Sequence, residues 1–146
     1  MARTRRKNQF ERGQATVEFA LAVTVLFMVT YGIIDFGRAL YAYDLVNTAA
    51  RIGSRYAIVH GSGCTLSICP ATSAAIQTYV LTKVTGVNQS QFSVVTTWST
   101  APGCSDPNFQ GPECIVNVKV SYPFRFVLAF NQTLTLTSTS QMVISQ

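Results

Sequence analysis

Charge is scarce in this chain. Only 12% of its residues are Asp, Glu, Lys or Arg, about half the roughly 25% of an average soluble protein. With 48% apolar residues and a positive mean hydropathy, this composition points to a membrane-inserted or exported protein rather than a cytosolic enzyme. Histidine is scarcer still, since His60 is alone. No Ser-His-Asp set can be assembled beyond chance, and a single histidine without a partner reads as a surface or capping residue. The carboxylates are few and dispersed. Neither G-x-x-x-x-G-K-[ST] nor G-x-G-x-x-G occurs, and "GSGC" at Gly61–Cys64 is a turn rather than a phosphate loop. The sequence therefore makes no case for an enzyme or a cofactor. Internal repeats, heptads and low-complexity tracts are also missing. The 146 residues suffice for one domain plus an anchor.

Proline is absent until Pro70, and that leaves a long helix uninterrupted. Ala15–Ile34 is a 20-residue apolar run with one charge, Glu18. At 1.5 Å per residue it spans about 30 Å, the thickness of a bilayer core. A secretory signal has an apolar region of about 7–15 residues, so this run is too long for one. Arg5-Arg6 does not make a twin-arginine signal either, because the phenylalanine that follows comes too late. The basic residues gather ahead of the run. Arg3, Arg5, Arg6, Lys7 and Arg12 face the single acid Glu11, and they account for most of the net charge of +5. A basic arm could bind nucleic acid. Placed directly before a span, it reads instead as the positive flank that holds one end in the cytoplasm, and no nucleic-acid partner is expected.

Asp35 and Arg38 close the apolar run at i,i+3 spacing. The helical pattern continues beyond them to "HGSGC", so one helix is expected from about Gln14 to about Val59, with Gly61 and Gly63 breaking it. Leu40, Tyr43, Val46, Ala50 and Ile52 recur at three- and four-residue steps. Ala49, Gly53 and Ala57 form a small-residue stripe that admits a close backbone. That backbone could belong to the chain's own sheet or to a helix of another subunit. The expected division is 1–13 as a basic leader, 14–34 as a transmembrane helix, 35–60 as its amphipathic continuation and 61–146 as an exported domain.

The fold class expected is α+β: the long helix, then a short helix and an antiparallel sheet of about three strands. "ATSAAIQTYVLTKVTG" reads as the short helix, with Ala75, Ile76, Tyr79, Val80 and Val84 on one side and Gly86 as its cap. Period-2 alternation follows in three segments. Phe92, Val94 and Trp98 share one face. Val116, Val118, Val120 and Tyr122 share another, opposite Asn117, Lys119 and Ser121. Leu134, Leu136, Met142 and Ile144 keep one parity among threonines. "PFRFVLAF" at Pro123–Phe130 is too apolar for a loop. It reads as an edge strand packed on the long helix or as an exposed contact patch, with packing favoured. Cys64, Cys69, Cys104 and Cys114 all follow the span, and an even count in an exported domain suggests disulfides. Four cysteines allow three connectivities. The short loops favour Cys64–Cys69 and Cys104–Cys114, and neither pair has the tighter spacing of a zinc site, so no metal is expected.

One detail does not fit a plain anchor. Glu18 is the fifth residue after Gly13, at the boundary between charged and apolar sequence. "ERGQATVEFALAV", "YGIIDFGRALYAYDLVNTAARIGSRYAI" and "TLTSTSQMVI" together resemble the TadE-like pseudopilins of the tight-adherence (Tad, or Flp) pilus system. Such proteins carry the class III signal of type IV pilin-like proteins. The resemblance implies that a prepilin peptidase cuts after Gly13, leaving Gln14 as the new N-terminus, where many other pilins have phenylalanine. It also implies that Glu18 is the acid shared by pilin-like proteins, which pairs with a neighbour's α-amine during assembly. A carboxylate in hydrocarbon is costly unless paired. The alternative is that Glu18 reaches back to the cytoplasmic headgroups. The implied protein is a minor pilin or pseudopilin for assembly of an adhesive pilus, since major pilins of this system are much shorter. Its implied partners are the membrane, the peptidase, other Tad pilins and the assembly platform. Its implied place is the inner membrane, N-terminus in the cytoplasm and C-terminal domain outside. The rival readings are a pseudopilin of a related secretion machine and an unprocessed membrane-anchored binding module.

Overall fold

The computed structural model describes residues 3–127 and 132–145, with side chains from residue 13 onward. Helix α1 runs over Arg3–Val59, helix α2 over Ser73–Lys83, and a single 3-10 turn over Gln89–Gln91. Strands β1 (Ser93–Ser99), β2 (Ile115–Arg125) and β3 (Thr133–Val143) form an antiparallel sheet in the order β1-β2-β3. The α+β architecture and the three strands match the expectation. Helix α1 begins at Arg3 rather than near Gln14. Nothing in its first turns breaks it, because proline is absent and Gly13 weakens a helix by about 1 kcal/mol without ending it.

The distal half of α1 packs under β2 and β3, and α2 lies against α1 and β1. Among the described residues no helix or strand covers the opposite face of the sheet. Val116, Val118 and Val120 of β2 are fully buried against Val46 and Ala50 of α1 and Ile76 and Val80 of α2. Each such side chain contributes about 1.5–3 kcal/mol relative to its exposed state. The alternate residues Lys119, Thr97, Thr137 and Thr139 face solvent, as a one-sided antiparallel sheet requires.

The buried line on α1 is Ala42, Val46, Ala49, Ala50, Gly53, Ser54 and Ala57. Leu40 and Tyr43, expected to share that line, are exposed. The reason is spacing. The sheet approaches α1 too closely for large side chains, so alanines and glycine take the contact face and the larger residues point away. A carbon placed at the Cβ position of Gly53 would lie 2.9 Å from Val118 Cγ1 and 3.0 Å from Val80 Cγ2. The small-residue stripe Ala49, Gly53, Ala57 therefore packs within its own chain.

Helix α2 opens on Thr72, whose side chain accepts from the Ala75 N–H at 3.2 Å, a standard N-cap contact. It ends at Lys83, and the residue that closes it is Val84, in extended conformation. Gly86 is not the cap. It sits two residues further on with φ +80°, where the Tyr41 hydroxyl would lie 2.9 Å from a Cβ. The segment from Pro123 is described as far as Val127. Residues 123–125 continue β2, whose pairing with β1 ends at Ser93↔Ser121 while pairing with β3 runs on to Arg125↔Thr133. Pro123 thus occupies a local edge, where its missing N–H is tolerated. Phe124 is buried and Val127 exposed, and Leu128, Ala129 and Phe130 lie outside the described residues. Leu134 keeps the expected parity but is exposed at the end of β3, whereas Leu136 and Ile144 are buried.

Candidate functional site

Gly13, Gln14 and Glu18 lie on one uninterrupted stretch of α1, all exposed. No heavy atom comes within 4 Å of a Cβ built on Gly13. Gln14 and Glu18 are one turn apart and share a helix face, separated along the axis by about 6 Å. Among the described residues Glu18 has no ion-pair partner. Along this stretch Val17, Phe19, Leu21, Val25, Leu26, Phe27, Met28 and Val29 are exposed as well. An 18-residue window of α1 reaches a mean hydropathy of 2.1 with none of it buried inside the protein. Among the described residues nothing covers this apolar surface, and it is long enough to cross a bilayer. Thr24 and Thr30 return their hydroxyls to the carbonyls of Ala20 and Leu26, each at 2.8 Å, so neither presents an unpaired donor to lipid.

Where the apolar run ends, the helix is clamped to the domain. Asp35 is buried. Its Oδ1 accepts from Arg38 Nη1 at 2.8 Å, and its Oδ2 accepts from the Val127 N–H at 2.7 Å. The Arg38 guanidinium also lies 5.5 Å from the centroid of the Phe124 ring, within cation–π range. The Tyr41 hydroxyl donates to the Thr85 carbonyl at 3.1 Å. The i,i+3 spacing of Asp35 and Arg38 was visible in sequence. The partners Val127, Phe124 and Thr85 were not, because they come from segments 44 to 92 residues away.

Further along α1, Ser54 Oγ and Ser140 Oγ are 2.8 Å apart, joining the helix to β3. At the distal end His60 shares a 2.8 Å contact between Nδ1 and the Tyr56 carbonyl, and its ring stacks on Tyr56, which stacks in turn on Tyr79. His60 is a packed surface residue with no acid beside it among the described contacts. Cys64 is bonded to Cys69 and Cys104 to Cys114. The segment just before the first disulfide loop meets the second where the Ser62 N–H donates to the Gln110 carbonyl at 2.9 Å. Asp106 organises the second loop by accepting from the N–H groups of Asn108 and Gln110, each at 3.1 Å. The Asn108 N–H is the largest cause that holds its carboxyl below the ordinary value of 3.8. Among the described residues no group of three or more His, Cys, Asp or Glu could hold a metal ion.

The chain is thus an α+β protein: a helix long and apolar enough to cross a membrane, its apolar half uncovered by the described residues, clamped at its midpoint to a small helix–sheet domain. Residues 13–55, under a third of the chain, match the family model described as TadE-like protein. The match begins on Gly13 and takes in the apolar run, the Asp35–Arg38 pair and most of the packed stripe. No curated protein and no solved structure matches the chain.

Proposed function

We propose that this protein is a minor pilin or pseudopilin that takes part in assembling a Tad-type adhesive pilus, and that it is not an enzyme. The observation that carries this is the TadE-like match beginning on Gly13, where an apolar helix starts that the described residues leave uncovered. In this reading residues 1–13 are a cytoplasmic leader and 14–34 span the inner membrane. Residues 35–60 extend the helix outward, and 61–146 form the domain on the far side. A prepilin peptidase cuts after Gly13. The cut bond lies inside α1, and a glycine is the residue at which the helix most readily opens, by about 1 kcal/mol relative to alanine.

Cleavage creates an α-amine on Gln14, one turn from Glu18. Within a bundle of such helices, the carboxylate of one subunit can pair with the amine of another, so that neither charge stays bare in lipid. Other Tad pilins and the assembly platform are the partners. Two other readings remain distinct from this one: a pseudopilin of a secretion machine, and an unprocessed anchored binding module.

N-terminal sequencing of the mature protein tests the proposal. Gln14 as the first residue supports it, with Gly13→Ala retaining the leader. Met1 or Ala2 as the first residue, or unchanged processing of Gly13→Ala, refutes it. Glu18→Ala is expected to insert normally and to abolish incorporation or piliation. Pilus numbers equal to wild type in that variant would refute the pairing.

A further inference from the structure

An open cleft of about 610 Å³ lies beside the clamp, between α1, the segment after α2 and the end of β2 that β1 leaves unpaired. Its walls include Ile34, Arg38, Tyr41, Tyr122, Phe124 and Arg125. Two cations at one cleft are unusual in a chain with this little charge. Asp35 balances Arg38, while Arg125 has no ion-pair partner among the described residues. The cleft therefore carries one net positive charge. The Arg38 side chain is half exposed, and its contact with Asp35 is made through Nη1, which leaves other guanidinium donors for a ligand.

The position matters as much as the charge. Ile34 is the last residue of the apolar run, and Arg38 is four residues on, about 6 Å further along the axis. The headgroup layer of a leaflet is about 5–7 Å deep. Arg38 then stands at the depth of the lipid phosphates, with Tyr31, Tyr41 and Tyr43 as an interfacial aromatic belt. We propose that this cleft binds the phosphodiester of an anionic phospholipid on the far side of the membrane, with Arg38 and Arg125 on the phosphate and Ile34, Tyr122 and Phe124 against the glycerol end. A monoanionic phosphate matches the net charge of the cleft, and the glycerol headgroup of phosphatidylglycerol brings no ammonium to oppose the arginines. This inference rests on the membrane-spanning reading of α1. The bound lipid would fix the height of the domain above the bilayer, since the clamp and the cleft share Arg38.

The full chain is reconstituted into nanodiscs of mixed phosphatidylglycerol and phosphatidylcholine, and the lipid kept through detergent extraction is counted by native mass spectrometry. Wild type is expected to retain one phosphatidylglycerol. Arg125→Gln is expected to weaken retention about tenfold, the effect of losing one charge-assisted hydrogen bond. Arg125→Lys should recover part of it, and Lys119→Gln, on the open face of the sheet, should retain lipid like wild type. Circular dichroism on each variant shows that the fold is kept. A chain that fails to enter the discs overturns the spanning helix and the site together. A chain that enters, but retains lipid equally in wild type and Arg125→Gln or without preference for phosphatidylglycerol, overturns the site alone. Displacement of the lipid by millimolar glycerophosphate would show a free-phosphate site instead and overturn the lipid assignment.

Discussion

Gly53→Ala tests why the large residues of α1 point away from the sheet. The added methyl would meet Val118 Cγ1 at 2.9 Å and Val80 Cγ2 at 3.0 Å, against an optimum of about 3.5–4.0 Å between carbons. Neither neighbour can yield easily. Val118 is fully buried on the central strand, paired with Thr96 on one side and Ser140 on the other, and Val80 is fully buried on α2. Both are β-branched and stiff at χ1. Overpacking of this kind costs about 1–3 kcal/mol, whereas alanine gains about 1 kcal/mol over glycine in a helix. The net expectation is a loss of about 1 kcal/mol, or about 4–8 °C in Tm for a domain of this size.

Gly37→Ala supplies the control, because no heavy atom lies within 4 Å of its Cβ position. The propensity gain is common to both variants, so their difference, about 1–3 kcal/mol, isolates the packing cost. Urea unfolding of the full chain in detergent, followed by the fluorescence of Trp98, its single tryptophan, measures both. If the two variants are equally stable, the close packing is refuted, and the stripe is free to take a helix from another subunit.

Thr96 is buried on the inner face of β1, and its hydroxyl has no hydrogen-bond partner among the described residues. Thr96→Val keeps the shape and removes the unsatisfied group, and a gain of about 1 kcal/mol is expected. A lowered urea midpoint would show that the hydroxyl is bonded after all. Asp35→Ala removes the acceptor for both Arg38 and the Val127 N–H. Hydrogen exchange at Val127 should accelerate by about 10–100-fold, corresponding to the 1.5–3 kcal/mol of hydrogen bonds to a charged group. Unchanged protection there would refute the clamp.

The elements of the fold could be read from local patterns. Absence of proline and an apolar run define α1, alternation defines the strands, and the one-sided spacing of Ala75, Ile76, Tyr79 and Val80 defines α2. The proposed processing residues are legible for the same reason: Gly13, Gln14 and Glu18 are picked out by their spacing along a single helix. Residues whose role depends on what approaches them were not legible. Leu40 and Tyr43 have the periodicity of a packed face, but the nearness of the sheet gives that face to Ala42, Ala49 and Gly53. Gly86 has the composition of a cap, but Val84 ends the helix and the glycine serves the turn beneath Tyr41.

The sequence by itself determined a helix long and apolar enough to span a membrane, the class of fold and the candidate cleavage junction, because each depends on hydropathy or spacing within a few turns of chain. Only the tertiary structure decided that the stripe Ala49, Gly53, Ala57 is covered by its own sheet, and that Asp35 and Arg38 clamp the end of β2 to the top of the apolar run. Those outcomes depend on strands that arrive from more than 60 residues away. Periodicity within α1 records that a face is small or charged, but it cannot say which distant segment will meet it.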